Sequence, residues 1–266
     1  MLPFPDFFRL RQHFDSTRVD DVPGEVERQL AGLQLAERVR PGQSVALAVG
    51  SRGIANLAVI VRAAVAHFRR LGANPFIVPA MGSHGGPTAE GQRHLLESYG
   101  VTEAAVGCPI RSSLETVVVC RTAEGLPIHF DRLAFEADHV VVCNRVKPHT
   151  MFAGPIESGL IKMLLIGLGN HEGACVYHRA IQRSSFARVI ADATPEILRR
   201  CPILAGLAVV ENGYDETVRI EAVRPEELVA REQELLRLAK RLMARLPFDD
   251  VDVLLVDWIG KDVSGT

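Results

Sequence analysis

Short apolar runs bounded by turn residues alternate along this chain with longer stretches whose apolar positions recur at helical spacing. SVALAVG (44–50), NPFIVPA (74–80), ADHVVVCN (137–144) and ILAGLAVVE (203–211) read as buried strands. Helical spacing runs over 24–37, roughly 55–71, from Thr88 to near Tyr99, around 184–199, and from Pro225 to about Arg245. Pro41-Gly42 marks a turn, and Gly72 is a natural stop for the helix before it. Strand, loop and helix in that repeated order predict an α/β fold with a mainly parallel sheet flanked by helices.

Residues 101–137 break the rhythm. ETVVVCR (115–121) and LPIHF (126–130), joined by Thr-Ala-Glu-Gly, predict an antiparallel insertion. TVRIEAV (217–223) follows the turn Asn212-Gly213 as a further strand, and DVDVLLVDW (250–258) predicts a last one. Residues 1–23, with three prolines, read as irregular.

Composition narrows the class. With 266 residues, 47% of them hydrophobic, the chain can bury a sizeable core as one large domain or two small ones. Thirty Lys and Arg stand against 32 Asp and Glu, with no long basic cluster, which argues against nucleic acid as a partner. The N-terminus lacks the pattern of a signal peptide, and no apolar run approaches the ~20 residues of a membrane span. Five scattered cysteines without a CxxC indicate neither a disulfide framework nor structural zinc, and a reducing cytoplasm fits them.

The chemistry concentrates in Asn144–Arg179, where Arg145, Lys147, His149, Lys162, His171 and His178 lie among glycines and apolar residues. In open parallel sheets, ligands bind beyond the carboxyl ends of the strands. Three loops leave strands there: Ser51-Arg52-Gly53, Gly82-Ser83-His84-Gly85-Gly86, and Arg145-Val146-Lys147-Pro148-His149. Each carries a cation or an imidazole, and together they predict a cleft for an anion. His84 and His149 suit acid–base work, or are loop imidazoles bonded to backbone. Arg145 and Lys147 flank His149, or form a solvated pair. Lys162, in SGLIKMLLIGLG, is either a buried nucleophilic amine or a helix lysine reaching for the surface. His171 and His178, two helical turns apart, could share a face. GLGNHEG lacks the arrangement of a phosphate loop.

The ordered set Ser51-Arg52, Gly82-Ser83-His84, Pro148-His149, Lys162 and His178 resembles the N-terminal domain of the nickel-dependent lactate racemase family, over roughly residues 40–260. The sixteen-residue interval from Lys162 to His178 is its most specific part. The resemblance implies a nickel-pincer nucleotide (pyridinium-3,5-bisthiocarboxylic acid mononucleotide nickel). It would be joined to Lys162 through a thioamide, with Ser158 and Gly159 beside it and the metal held between that tether and His178. It further implies His84 and His149 as the acid–base pair, Arg52 and Lys147 as substrate carboxylate binders, and racemisation or epimerisation of a small 2-hydroxy acid. Residues 1–260 would form this domain and 261–266 the start of a linker to an absent C-terminal domain. Val49-Gly50-Ser51-Arg52-Gly53 departs from the family's Asp-x-Thr-Arg-Pro, and Gly85-Gly86-Pro87 from its Arg-Pro after the first histidine, marking a divergent member. Two rival readings are a metal-dependent hydrolase using His149, His171 and Glu172, and a non-catalytic binding protein for small anions on the same fold.

Overall fold

The computed structural model describes residues 7–50, 53–150 and 153–258. In chain order the elements are α1 (Val22–Gly32), β1 (Ser44–Val49), α2 (Leu57–Arg70), β2 (Asn74–Pro79), α3 (Ala89–Ser98), α4 (Glu103–Val106), β3 (Thr116–Arg121), β4 (Pro127–Asp131), α5 (Arg132–Phe135) and β5 (His139–Arg145). There follow α6 (Leu160–Lys162), continued by a π turn over Met163–Gly167, then α7 (Asn170–Arg183), α8 (Phe186–Arg200), β6 (Ile203–Glu211), β7 (Thr217–Val223) and α9 (Leu228–Leu242). The main sheet runs β2-β1-β5-β6-β7, parallel except for β7, which turns back against β6. β3 and β4 form a separate antiparallel pair. This is the α/β architecture that the apolar pattern predicts, with its antiparallel insertion in place.

Both faces of the sheet are covered, so the inner strands β1, β5 and β6 are largely apolar, while the edge strand β7 alternates apolar residues with Thr217, Arg219 and Glu221. Val45, Leu47, Val49, Ile77, Val141 and Leu207 face α1 and α2. Ala46, Ala48, Phe76, Val140, Val142 and Ala208 face the layer built from α6 to α9. Small residues on that second face let helices come close. At Gly206 an added Cβ would lie 2.5 Å from Leu160 and 2.6 Å from Leu228, so α6 and α9 pack against bare backbone there.

The expected last strand does not form. Residues 250–258 lie outside the sheet and are exposed, with Val253 at 75% and Leu255 at 87%. An apolar pattern marks a segment able to pair. A strand also needs a neighbour's unpaired ladder, and this segment lies alongside none among the described residues. The charged helix also ends earlier than its pattern suggests, at Leu242 rather than about Arg245. No helix among the described residues is long and apolar enough to cross a membrane.

The β3–β4 pair is tied to α7 by Tyr177, which is fully buried. The His129 amide donates to its hydroxyl oxygen at 2.7 Å, and that hydroxyl donates to the His129 carbonyl at 3.3 Å. Burial pushes the phenol well above its usual titration range. Tyr177→Phe strands both backbone groups, so it is expected to lose about 1–3 kcal/mol, read as a lower urea midpoint with an unchanged slope.

Candidate active site

β1 connects outward to β2 on one side, while β5 and β6 extend the sheet on the other. The order therefore reverses between β1 and β5, and chains leaving their carboxyl ends diverge to open a crevice. A cleft of about 380 Å3 lies there. It is lined by Ser83 and His84 after β2, Asn144 and His149 at and after β5, Ser158 and Lys162 at α6, and His178 on α7. Ala80, Met163, Ile166 and Ile181 make much of the remaining wall apolar.

The His84 loop is built on glycine. Gly82, Gly85 and Gly86 all have positive φ, and a Cβ at Gly85 would meet the backbone of Gln92 at 3.0 Å. Gln92, fully buried on α3, donates from Nε2 to the Gly82 carbonyl at 3.1 Å. The Gly82 amide in turn donates to Gly167 in the π turn at 3.1 Å. The loop that carries one imidazole is thus fastened to the turn that follows Lys162.

His149 is held through Glu157, which is buried. Its carboxylate accepts from the His149 amide at 2.8 Å, the Gly154 amide at 3.2 Å and the Lys240 ammonium at 2.5 Å. Burial alone would raise this carboxyl's pKa. The Lys240 ammonium and the two amides outweigh burial and hold it below the usual range.

Lys162 ends α6 and is half-buried between Ile161 and Met163, both buried. The next turn widens to a π geometry, with the Leu168 amide donating to the Met163 carbonyl at 2.9 Å. The Met163 side chain threads between Gly50 and Gly167, where a Cβ on either would approach it to 2.5 Å. His178 projects from α7 into the same cleft as Lys162. That helix begins at Asn170, whose Nδ2 donates to Asp131 at 2.7 Å. Burial pushes the Asp131 carboxyl up to about 6.

Other expected residues sit elsewhere. Ser51 and Arg52 lie outside the described residues. Lys147 is buried, bridged backbone to backbone with Ser158, and does not line the cleft; neither does Gly159, which lies at the root of α6. Arg145 is ion-paired with the buried Glu211 and lies 3.6 Å from Asp215, so it is neither a cleft cation nor solvated. Glu211 also accepts from the Ala55 amide at 2.7 Å; burial raises its pKa against the pull of Arg145. His171 turns to Cys175, its Nε2 3.6 Å from the thiol, and lies off the cleft lining. Glu172 is 67% exposed and bonds Thr116. The hydrolase trio of His149, His171 and Glu172 is therefore not assembled. No group of three or more His, Cys, Asp or Glu among the described residues is arranged to hold a metal ion.

Sequence reasoning missed Asn144, Gln92, Glu157 and Glu232. Glu232 left one readable trace. It occupies the apolar stripe Leu228, Glu232, Leu235, Leu236, Ala239 of α9, where a charge is out of register with its neighbours.

Residues 17–189 match the family described as the lactate racemase N-terminal domain. The structure resembles that of the lactate racemase apoprotein from Thermoanaerobacterium thermosaccharolyticum, with a TM-score of 0.61 and 17% identity, over 85% of this chain and 58% of that one. The chain thus spans under two thirds of that relative's length. No curated protein matches it.

Lys240→Met leaves the Glu157 carboxylate buried without its cation. We expect a loss of about 1–2 kcal/mol at pH 7, kept low because Lys240 is itself 40% exposed. Glu157's folded pKa lies below the ordinary 4.5, so its contribution is present above that pH and is lost as pH falls through the folded value. The gap in urea midpoint between wild type and variant should therefore be widest near neutrality and close on acidification.

Proposed function

The chain belongs to the lactate racemase family through its N-terminal domain, and on that premise we propose that it racemises or epimerises a 2-hydroxy acid using a nickel-pincer nucleotide tethered to Lys162. The observation that supports this most is convergence. His84, His149, Lys162 and His178 come from four separate segments and line one cleft.

The residues present fit such a group. A metal held by protein side chains alone would need several donors, and the described residues offer no such cluster. Imidazole and amine in one cleft suit a metal that arrives with its own donors, and imidazole with soft sulfur is a fitting set for nickel(II). Lys162 would carry the tether, His178 would ligate the metal, and Ser158, with Gly159 next to it in the chain, would help hold the nucleotide. When bound, the group supplies a reversible hydride acceptor.

The remaining work falls to the chain. One imidazole takes the proton from the substrate hydroxyl as the adjacent carbon–hydrogen bond breaks, and it returns that proton when the bond re-forms. A second imidazole on another loop lets the opposite enantiomer use the same cleft, with His84 and His149 exchanging roles. Arg52 is assigned the substrate carboxylate, which a guanidinium can hold in two parallel hydrogen bonds. Lys147, expected beside Arg52 at that carboxylate, is buried off the cleft lining, where its charge acts on Glu211. The apolar part of the wall strengthens charge interactions made within the cleft.

The test is the intact mass and metal content of protein made in a host that builds the cofactor. Added mass at Lys162 with bound nickel is expected, and both should vanish in Lys162→Ala. His84→Asn and His149→Asn should each keep the added mass yet lower racemisation by about 10²- to 10⁴-fold, measured as chiral conversion of 2-hydroxy acids. Absence of nickel and of added mass would refute the proposal. Loaded protein that binds the acids without converting them would indicate the non-catalytic binding protein instead.

A further inference from the structure

Glu232 is a carboxyl group fully enclosed by protein, on the face of α9 that packs against the root of α6. Its Oε2 accepts from the Ile161 amide at 2.8 Å, and the Leu160 amide also donates to the carboxylate. Its Oε1 has no hydrogen-bond partner. Among the described residues no cation is found to act on it; burial dominates and pushes it up to about 7. Burying a carboxyl this way is unfavourable by several kcal/mol, and a leucine would fill the same apolar stripe without that cost.

What the carboxylate touches accounts for its presence. The first amides of a helix have no partners within it, and those of α6 point into a dry interior. Glu232 satisfies two of them one turn before the cleft. From the other side, Asn144 donates to the Gly159 carbonyl at 3.0 Å. Gly159 leaves no gap between the two, because a Cβ there would lie 2.6 Å from the Glu232 carboxyl carbon. Its own backbone is extended, a conformation open to any residue, so the close approach alone accounts for glycine.

We propose that Glu232 is the positioning residue for the Lys162 amine, gripping the first amides of α6 from beneath and so fixing where Lys162 enters the cleft. This deepens the function proposed above and rests on it for the importance of Lys162. Its test needs neither nickel nor substrate. Cofactor-free wild type, Glu232→Gln, Glu232→Leu and Gly159→Ala are acetylated with an amine-reactive ester, and modification of Lys162 is followed by peptide mass spectrometry. Backbone hydrogen exchange over residues 159–163 is followed in parallel.

Glu232→Leu removes the acceptor, and Gly159→Ala pushes α6 off it. Both should acetylate Lys162 about tenfold faster, because the turn opens to solvent. Both should also speed exchange at 159–163 while leaving exchange in β5 and β6 as in wild type. Glu232→Gln keeps a carbonyl acceptor and should stay within about twofold of wild type. Gly159→Ala preserves the test if the leucine variant does not fold. Wild-type labelling rates in Glu232→Leu and Gly159→Ala would overturn the proposal, as would Glu232→Gln labelling as fast as Glu232→Leu. Failure of Lys162 to acquire mass in the cofactor-making host would instead sink the functional reading and leave these rates untouched.

Discussion

Backbone amides at the rim of a parallel sheet have no ladder to join, and here buried carboxylates take them up. Glu157 holds the amide of His149, Glu211 that of Ala55, and Glu232 those of Leu160 and Ile161 before Lys162. Each acid comes from a different place: the loop after β5, the end of β6, and the middle of α9. Each costs desolvation, offset differently. Lys240 balances Glu157 and Arg145 balances Glu211, while Glu232 relies on amides alone. The helix α9 supplies both Lys240 and Glu232, so one element on the back of the sheet clasps the two ends of the segment that carries His149 and Lys162.

Close packing finishes what the carboxylates begin. The π turn after Lys162 meets the His84 loop through Gly82 and Gly167, and Met163 fills the slot between Gly167 and Gly50 at the end of β1. The chain leaving β1, the loop after β2 and the turn after Lys162 are therefore joined by direct contacts. A substitution that adds even a methyl group at Gly50, Gly159 or Gly167 presses on a packed neighbour rather than into solvent.

The fold was legible because the sheet is buried on both faces. The continuous apolar run ILAGLAVVE matches β6 from end to end, and the alternating TVRIEAV does the same for the edge strand β7. The same signal misled at 250–258, since apolarity states that a strand could pair and says nothing about where a free edge lies. The gathering of His84, His149, Lys162 and His178 was legible from their placement after strands and in one glycine-rich segment. The fate of Arg145 was not. It stands beside Lys147 and His149 in sequence, yet its partner Glu211 comes from another strand, and only the pairing of β5 with β6 brings them together. Glu232 showed only as a charge out of register in α9, and its role was hidden because its partners are backbone atoms, which carry no signature in the sequence.

That division has a physical basis. Residues that perform chemistry must be particular side chains, so they show as unusual types in unusual company. Residues that hold them in place need only present an oxygen or a methyl group at the right point, and many sequences can do that. Yet their tolerance is tight: a displacement of about 1 Å at a reacting group can lower a rate by about 10²-fold. The polar side chains that line the cleft, His84, His149, Lys162 and His178 among them, are placed only as accurately as the backbone that carries them. Precision in this site therefore has to come from beneath the lining, and the buried acids that grip the backbone supply it.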